Sequence, residues 1–257
     1  MMPNQLKIYT EIHGPVSVIT LNRPESRNAL DKEATELLTK AFLDFEQDDS
    51  QKVAVLIGAG GNFCAGADLK EVSKKADYKP WAGHPEGPLH RPLSKPVIGA
   101  ISGYAVAGGL GISLYCDIRI ADETAVFGIF CRRWGVPMSD GTPTRLPRII
   151  GTGPAMDMML TGDPVSAERA FELGLVTRLT TSKDLKKDAI ELAERIATFP
   201  PIAMLADRET IYTQFGKDEK AALYEEWQSA RQAIIQEASQ GAAKFAAGSG
   251  RHGSIAD

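Results

Sequence analysis

The chain opens with two short runs in which polar and apolar residues alternate. Residues 6–12 (LKIYTEI) and 15–21 (PVSVITL) flank His13-Gly14, and this arrangement predicts a β-hairpin. After the turn NRPESRN, apolar residues recur at the spacing of one buried helical stripe, at Leu30, Ala34, Leu37, Leu38, Ala41, Phe42 and Phe45. A hairpin followed by an amphipathic helix is therefore expected.

Three later runs are short and almost entirely apolar: 53–58 (VAVLIG), 96–102 (PVIGAIS) and 117–122 (DIRIAD). Such runs are typical of strands that are covered on both faces. Each is followed by a glycine-rich turn or a helical segment, so the pattern predicts repeated strand-turn-helix units with right-handed crossovers. The fold class is α/β.

The rest of the chain contains an irregular loop and, near its end, a separate helical region. Residues 76–95 contain four prolines and two glycines with little periodicity, which indicates an irregular loop that could act as a lid. Past residue 182 the pattern is helical, with one stripe at Ile190, Ala193, Ile196 and Ala197 and a second at Leu223, Trp227, Ile234 and Ala238. Pro200-Pro201 separates an α/β core (1–199) from a C-terminal helical region (200–257).

The composition favours a small-molecule partner. The 257 residues carry 29 Lys and Arg against 33 Asp and Glu, a net charge of −4, with no basic block that would indicate nucleic acid or an anionic membrane. The three cysteines are widely spaced and form no zinc-binding pattern, and no metal is expected. No run of 18 apolar residues or leader pattern is present, so a cytoplasmic location is expected.

The first glycine-rich turn, GAGGNFCAGADLKE, follows the 53–58 strand. Asp68 stands three residues before Glu71, like a capping box, so a helix should begin there. The free N–H groups of Ala65 to Leu69 would then favour an anion. The alternative is that Asp68 only caps its helix.

The second glycine-rich turn, ISGYAVAGGLGISLYCD, again places small residues where a helix must start. Gly108 can offer a second exposed N–H, and two donors aimed at one carbonyl oxygen would stabilise the negative charge that develops on it. Glycines that only permit close helix packing are the alternative interpretation.

Four motifs occur in order: NRPESRNAL, FCAGADLKE, SGYAVAGGLG and RLPRIIG. Together they resemble the crotonase (enoyl-CoA hydratase/isomerase) superfamily over roughly the whole chain. The resemblance implies a spiral of ββα units, an acyl-CoA substrate with no further cofactor, and an oxyanion hole formed by the N–H groups of Ala65 and Gly108. It also implies contacts to coenzyme A along the first two motifs, from Arg27, Ala65, Gly66, Ala67, Asp68 and Leu69.

The same resemblance implies C-terminal helices that pack into a homotrimer or a dimer of trimers. Two of the assignments have alternatives within the sequence itself. Arg27 could be a solvated surface charge, and Leu223 and Trp227 could belong to the intrachain core rather than to a trimer contact.

The chain departs from the superfamily's hydratases at both catalytic glutamates. The first position, three residues beyond Gly108, is Gly111, and the second, which closes the FGxxE motif, is Cys131. Cys131 is interpreted as an inert buried thiol, with a nucleophile as the alternative. The adjacent Arg132 and Arg133 could neutralise an acyl carboxylate or simply be solvated.

Asp140 is the best remaining carboxylate, close to where the superfamily's dienoyl-CoA isomerases and aryl-CoA dehalogenases place an active-site aspartate. It could transfer protons, cap a helix that starts at Gly141, or do both. The expected function is acyl-CoA or enoyl-CoA processing through a thioester enolate, of isomerase or other lyase type rather than efficient hydration. The alternative is a non-catalytic acyl-CoA-binding protein.

Overall fold

The computed structural model describes residues 6–74, 81–85 and 87–248. The chain forms two compact units that meet between Ala197 and Thr198, two residues before the division expected from the sequence. Residues 76–80 and 86 of the expected loop lie outside the described residues. The described part of that loop, 81–85 and 87–95, contains no helix or strand.

The first unit is built on two sheets. The larger has six strands in the order β1-β2-β3-β4-β6-β9, and the smaller has three in the order β5-β7-β8. The strands are β1 (Ile8–His13), β2 (Val16–Leu21), β3 (Val53–Gly58), β4 (Val97–Ile101), β5 (Tyr104–Val106), β6 (Ile118–Asp122), β7 (Val126–Gly128), β8 (Val165–Ser166) and β9 (Arg178–Thr180). The hairpin β1-β2 is antiparallel and the large sheet is parallel from β2 to β9. The predicted hairpin and the three predicted apolar strands are confirmed.

Helices follow most strands of this unit. They are α1 (Lys32–Gln47), α2 (Leu69–Val72), α3 (Gly108–Tyr115), α4 (Thr142–Ile150), α5 (Thr152–Thr161), α6 (Ala167–Glu172) and α7 (Leu185–Ala197). The stripe predicted for α1 is confirmed, because its buried residues are Ala34, Leu38, Phe42 and Phe45. Asp31 begins the helix by accepting the Ala34 N–H.

The large sheet is covered on both faces, which explains its apolar strands. Ile19 and Leu21 of β2 pack in the core that contains α1, whereas Val16 and Val18 pack with Leu185 and Ala189 of α7. Successive strand residues point to opposite faces, so a strand between two helical layers is apolar at nearly every position. This sheet holds the glycine-rich turns that follow β3 and β4.

The second unit is helical, as predicted. It contains α8 (Pro201–Thr213), α9 (Glu219–Ala233), a π-helical turn (Ile234–Ala238) and α10 (Ser239–Ala246). The carboxylate of Glu237 accepts the N–H groups of Ile202 and Ala203 at 3.0 and 2.9 Å, and so caps the start of α8. Leu223, Trp227 and Ile234 are exposed, so their row lies on the surface rather than in the intrachain core. No helix within the described ranges is long and apolar enough to cross a membrane.

Candidate active site

The first glycine-rich turn lies between two other backbone segments. The Cys64 N–H donates to the carbonyl of Tyr104 at 2.8 Å, and the Val106 N–H donates back to Cys64 at 3.1 Å, so the turn extends the edge of β5. On the other side, the turn pairs with residues 27–30. The sequence stretches NRPESRNAL, FCAGADLKE and SGYAVAGGLG therefore meet side by side.

The amides of this turn are not equally available. Three of four consecutive N–H groups donate within the protein: Ala65 to the Arg27 carbonyl at 3.0 Å, Gly66 to Cys64 Sγ at 3.3 Å, and Asp68 to the Leu30 carbonyl at 2.9 Å. The Ala67 N–H has no acceptor among the residues that the structure describes. A ligand oxygen can therefore be bound by Ala67 without breaking an existing hydrogen bond.

This pattern favours Ala67 over the predicted Ala65 as a donor to a ligand oxygen. Its N–H is directed at Arg27 because residues 27–30 and 65–68 run as a short parallel ladder, with a bridge between Leu30 and Ala67. Cys64 supports the same geometry, since its thiol donates to the Asn28 carbonyl at 3.1 Å. Burial raises the pKa of Cys64 to about 12, so it remains a neutral thiol.

Gly108 offers the second N–H. It is the first residue of α3, and within the described chain its N–H has no acceptor. The preceding residue, Ala107, has φ 51°, which is uncommon for a residue with a side chain and turns the backbone into the helix. A Cβ placed on Gly66 would lie only 2.7 Å from the Gly108 nitrogen, so the two turns are in direct contact because Gly66 has no side chain.

Asp68 is occupied by structural contacts. Its side chain accepts the Lys70 N–H at 3.1 Å at the start of α2, and Arg23 lies 3.0 Å from the other carboxylate oxygen. The predicted cap is confirmed, but the capping box is wrong, because the Asp68 N–H that Glu71 would accept donates to the Leu30 carbonyl at 2.9 Å. The helix that follows has only four residues.

Asp140 lies directly against Gly111. A Cβ placed on Gly111 would be 2.4 Å from Asp140 Cγ and 2.6 Å from Oδ2, well inside contact distance. The carboxyl group of Asp140 thus occupies the space into which a side chain at residue 111 would extend. Gly111 is one helical turn beyond Gly108, so Asp140 stands on the same face of α3 as the free amide.

The predicted role of Asp140 as the N-cap of α4 is wrong, because the N-cap is Gly141, but the side chain of Asp140 still supports the start of this helix. Its Oδ1 accepts the Thr142 N–H at 2.9 Å, while helix α4 begins at Thr142 rather than at Gly141. The residue is only 3% exposed, and burial raises the pKa of its carboxyl group. The Thr142 side chain and the backbone of Asp140 also interact with this carboxyl group and lower its pKa, although less than burial raises it.

Cys131 is buried in the 3₁₀ turn after β7, and its Sγ lies 3.1 Å from Met138 Sδ. Burial raises its pKa, and the neighbouring charge of Asp140 raises it further. Reactive cysteines need the opposite, a lowered pKa, so these features favour the inert thiol over the nucleophile.

Arg27 lies on the surface beside Tyr104, whereas the other two candidate arginines, Arg132 and Arg133, both lie at the end of α5. The guanidinium of Arg27 is exposed and stacks 5.1 Å from the ring centre of Tyr104. Arg132 donates to the Met159 carbonyl and Arg133 to the Gly162 carbonyl, both at 3.0 Å, at the end of α5. Arg132 and Arg133 therefore hold a helix terminus rather than serving as free surface charges.

Sequence reasoning missed Trp81, which comes from the irregular loop. A Cβ on Gly108 would lie 2.5 Å from Trp81 Cζ3, so the indole packs on the glycine that carries the free amide. Nothing in the local sequence pattern points to it, because the contact depends on how the loop returns to the sheet. In the described parts of the chain, no group of three His, Cys, Asp or Glu residues could hold a metal ion.

The fold and these motifs agree with comparisons to known proteins. The sequence profile of the enoyl-CoA hydratase/isomerase family matches residues 11–248, and the chain belongs to this family, the crotonase superfamily. It is 38% identical to (E)-benzylidenesuccinyl-CoA hydratase of Thauera aromatica over 83% of this chain and 84% of the relative. It is 35% identical to carnitinyl-CoA dehydratase of Salmonella typhi, covering 77% of both chains. A crystal structure of enoyl-CoA hydratase from Mycobacterium tuberculosis H37Rv superposes with a TM-score of 0.87 at 34% identity, covering 93% and 95% of the two chains. The predicted superfamily and fold class are confirmed.

The contact between Gly111 and Asp140 predicts strong coupling in stability. Gly111→Ala should destabilise the chain by about 1–3 kcal/mol, because the methyl group forces the carboxyl group out of its position. In an Asp140→Gly background the same change should cost much less. Urea unfolding of the four proteins of this cycle measures the coupling, and additive effects would contradict the contact.

The raised pKa of Asp140 predicts a pH-dependent stability difference. The folded chain holds this proton more tightly than the unfolded chain, so ionisation costs stability as pH rises through the carboxyl range and beyond. Asp140→Asn keeps an oxygen for the Thr142 N–H and removes that cost. The variant should be more stable than the parent at about pH 7, with a difference that vanishes toward about pH 3. Thermal melting across this range is the measurement, and a constant difference would contradict the assignment.

Proposed function

We propose that this member of a superfamily of acyl-CoA-processing enzymes binds an acyl-CoA thioester and moves a proton at the carbon beside the carbonyl. The observation that carries the proposal is the place of Asp140. A buried carboxyl group stands on the face of α3 one turn from Gly108, whose N–H has no acceptor in the described chain. The reaction class is therefore formation and reprotonation of an enolate, as in an isomerase or a related lyase.

The carbonyl oxygen is assigned to the N–H groups of Ala67 and Gly108. The contact between Gly66 and Gly108 brings the two turns together, and neither amide has another acceptor in the described chain. Both are fixed by the backbone, so they need no rearrangement when negative charge develops on the oxygen. Removal of one such donor in other enzymes typically costs a factor of about 10²–10³ in rate.

Asp140 is assigned as the proton-transfer group. In its ionised form Oδ2 takes the proton from the carbon beside the thioester, the C–H electrons pass into the carbonyl, and the resulting oxyanion is held by the two amides. When the acyl group carries a β,γ double bond the enolate is conjugated with it, and return of the proton to the γ-carbon gives the α,β-unsaturated isomer. A raised pKa suits this role, because proton transfer works best when the pKa of the base lies closer to the working pH.

Efficient hydration is not part of the proposal. Hydration requires one group to activate water and another to protonate carbon. At the two family positions for these carboxylates the chain has Gly111 and a buried thiol, Cys131. Asp140 fills the space beside Gly111, so one carboxyl group stands where two would be needed.

The assembly proposed for the chain is a homotrimer or a dimer of trimers. The apolar side chains of the second unit that remain exposed in the single chain include Leu223, Trp227, Ile234 and Ile235. A surface row of this kind marks a protein contact. Sedimentation equilibrium gives the mass, and a monomer at micromolar concentration would contradict this assembly.

Deuterium exchange tests the proposed chemistry. In deuterated buffer, an acyl-CoA incubated with the parent should gain deuterium beside the thioester carbonyl, as followed by mass spectrometry. Asp140→Asn should exchange at least about 10²-fold more slowly, since a positioned base typically contributes about 10²–10⁴. Binding of the same acyl-CoA, measured by calorimetry, should change little.

The control for this experiment is Asp163→Asn, which alters an exposed carboxylate outside the site. Equal exchange by the parent and Asp140→Asn would remove Asp140 from the mechanism. Binding without any exchange in the parent would identify the chain as an acyl-CoA-binding protein that has lost the chemistry.

Crotonyl-CoA tests the distinction from a hydratase. The short enoyl thioester should bind but be hydrated very slowly, because the loss of two positioned carboxylates costs about 10⁴ or more in rate. The conjugated thioester absorbance reports the reaction directly. A turnover of about 10² per second or faster would contradict the proposal, since that lies in the range of fully equipped enzymes.

A further inference from the structure

Two glycines on the same face of α3 each face a bulky side chain. Trp81 packs on Gly108 and the carboxyl group of Asp140 packs on Gly111. The indole and the carboxyl group are therefore neighbours along the first turn of the helix. Of the two, only Trp81 has no place in the proposed chemistry.

Trp81 is held in place rather than resting loosely on the surface. The backbone N–H groups of Trp81 and Ala82 both donate to the Ser139 carbonyl, at 3.0 and 3.1 Å. The backbone carbonyl of Trp81 accepts the Leu89 N–H at 3.0 Å. The side chain belongs to the buried core and is only 5% exposed. The indole is consequently a fixed wall.

Arg145 connects the loop that contains Trp81 to the segment that contains Asp140. Its guanidinium donates to the Asp140 carbonyl at 3.1 Å and to the Leu89 carbonyl at 2.9 Å. The loop with Trp81 and the turn with Asp140 thus form one hydrogen-bonded unit beside α3. These bonds fix the backbone at Trp81, and burial in the core holds its side chain against Gly108.

The position of the indole relative to the bound carbonyl determines which part of the acyl group it can contact. A carbonyl oxygen hydrogen-bonded to the Gly108 N–H places the next carbon of the acyl group within about 5 Å of that nitrogen. Trp81 Cζ3 is so close to Gly108 that even one added methyl group there would overlap it, at 2.5 Å. The wall therefore stands beside the first carbon of the acyl chain, not beside its far end.

We propose that Trp81 is a specificity-determining residue that excludes acyl groups branched at the carbon beside the thioester. This inference rests on the proposed binding of the carbonyl oxygen by Gly108. In the proposed complex a straight acyl group passes between the indole and Asp140. A methyl branch at the first carbon would collide with the buried ring.

Butyryl-CoA and isobutyryl-CoA provide the test, because they differ in branching but not in the number of carbons. Calorimetric titration of the parent should show at least about tenfold tighter binding of butyryl-CoA, the usual effect of one misplaced methyl group in a fitted pocket. Trp81→Ala should bring the two affinities close together, mainly by improving the binding of isobutyryl-CoA. Trp81→Phe, which keeps a ring and protects folding, should fall between them.

Two controls separate this effect from general damage. Trp134→Ala removes a tryptophan that is 74% exposed and should leave the ratio unchanged. The affinity for coenzyme A without an acyl group should be the same in all the proteins, since the indole lies at the carbonyl end of the site.

The outcomes distinguish the two proposals. If the parent binds neither thioester, the proposed function fails and the specificity inference fails with it. If the parent binds both equally, or if Trp81→Ala leaves the ratio unchanged, the site stands but Trp81 does not determine its specificity.

Discussion

The candidate site depends on the close contact of three backbone segments, at residues 27–30, 64–68 and 104–109. Their mutual hydrogen bonds fix which amides are used and which remain free. Gly66 and Gly108 permit this approach, because a side chain on Gly66 would collide with the next segment. Catalytic groups made of backbone are insensitive to the identity of their own side chains, but they depend on every neighbour that sets the path of the chain.

The carboxyl group of Asp140 occupies the space beside α3 that is left empty because Gly111 has no side chain. Burial makes an ionised carboxylate unfavourable, and a purely structural cap would not require it, since caps normally remain partly solvated. One oxygen does hold the start of α4. If Asp140 has the proposed role in proton transfer, stability and chemistry make opposite demands on the same group, which is common at active sites.

Much of the fold follows from local pattern. The periodicity of apolar residues shows directly which positions are buried. It predicted the hairpin, the helical stripe with Ala34 and Leu38, and the apolar strands β3 and β4. The motifs indicated both glycine-rich turns. They indicated Ala65 as the first donor, whereas the proposed donor is Ala67, because the direction of the Ala65 N–H is set by a ladder with residues distant in sequence. Trp81 could not be predicted for the same reason, since its contact arises from the return of a loop without periodicity.

The steric overlap between a side chain at residue 111 and the carboxyl group of Asp140 also limits how such a site can evolve. A carboxylate on α3 cannot appear at residue 111 while Asp140 keeps its position, because the two would share one volume. Loss of Asp140 leaves a small cavity, which a fold tolerates better than overlap. Packing therefore favours a route between the two arrangements in which Asp140 is lost before a carboxylate appears on α3.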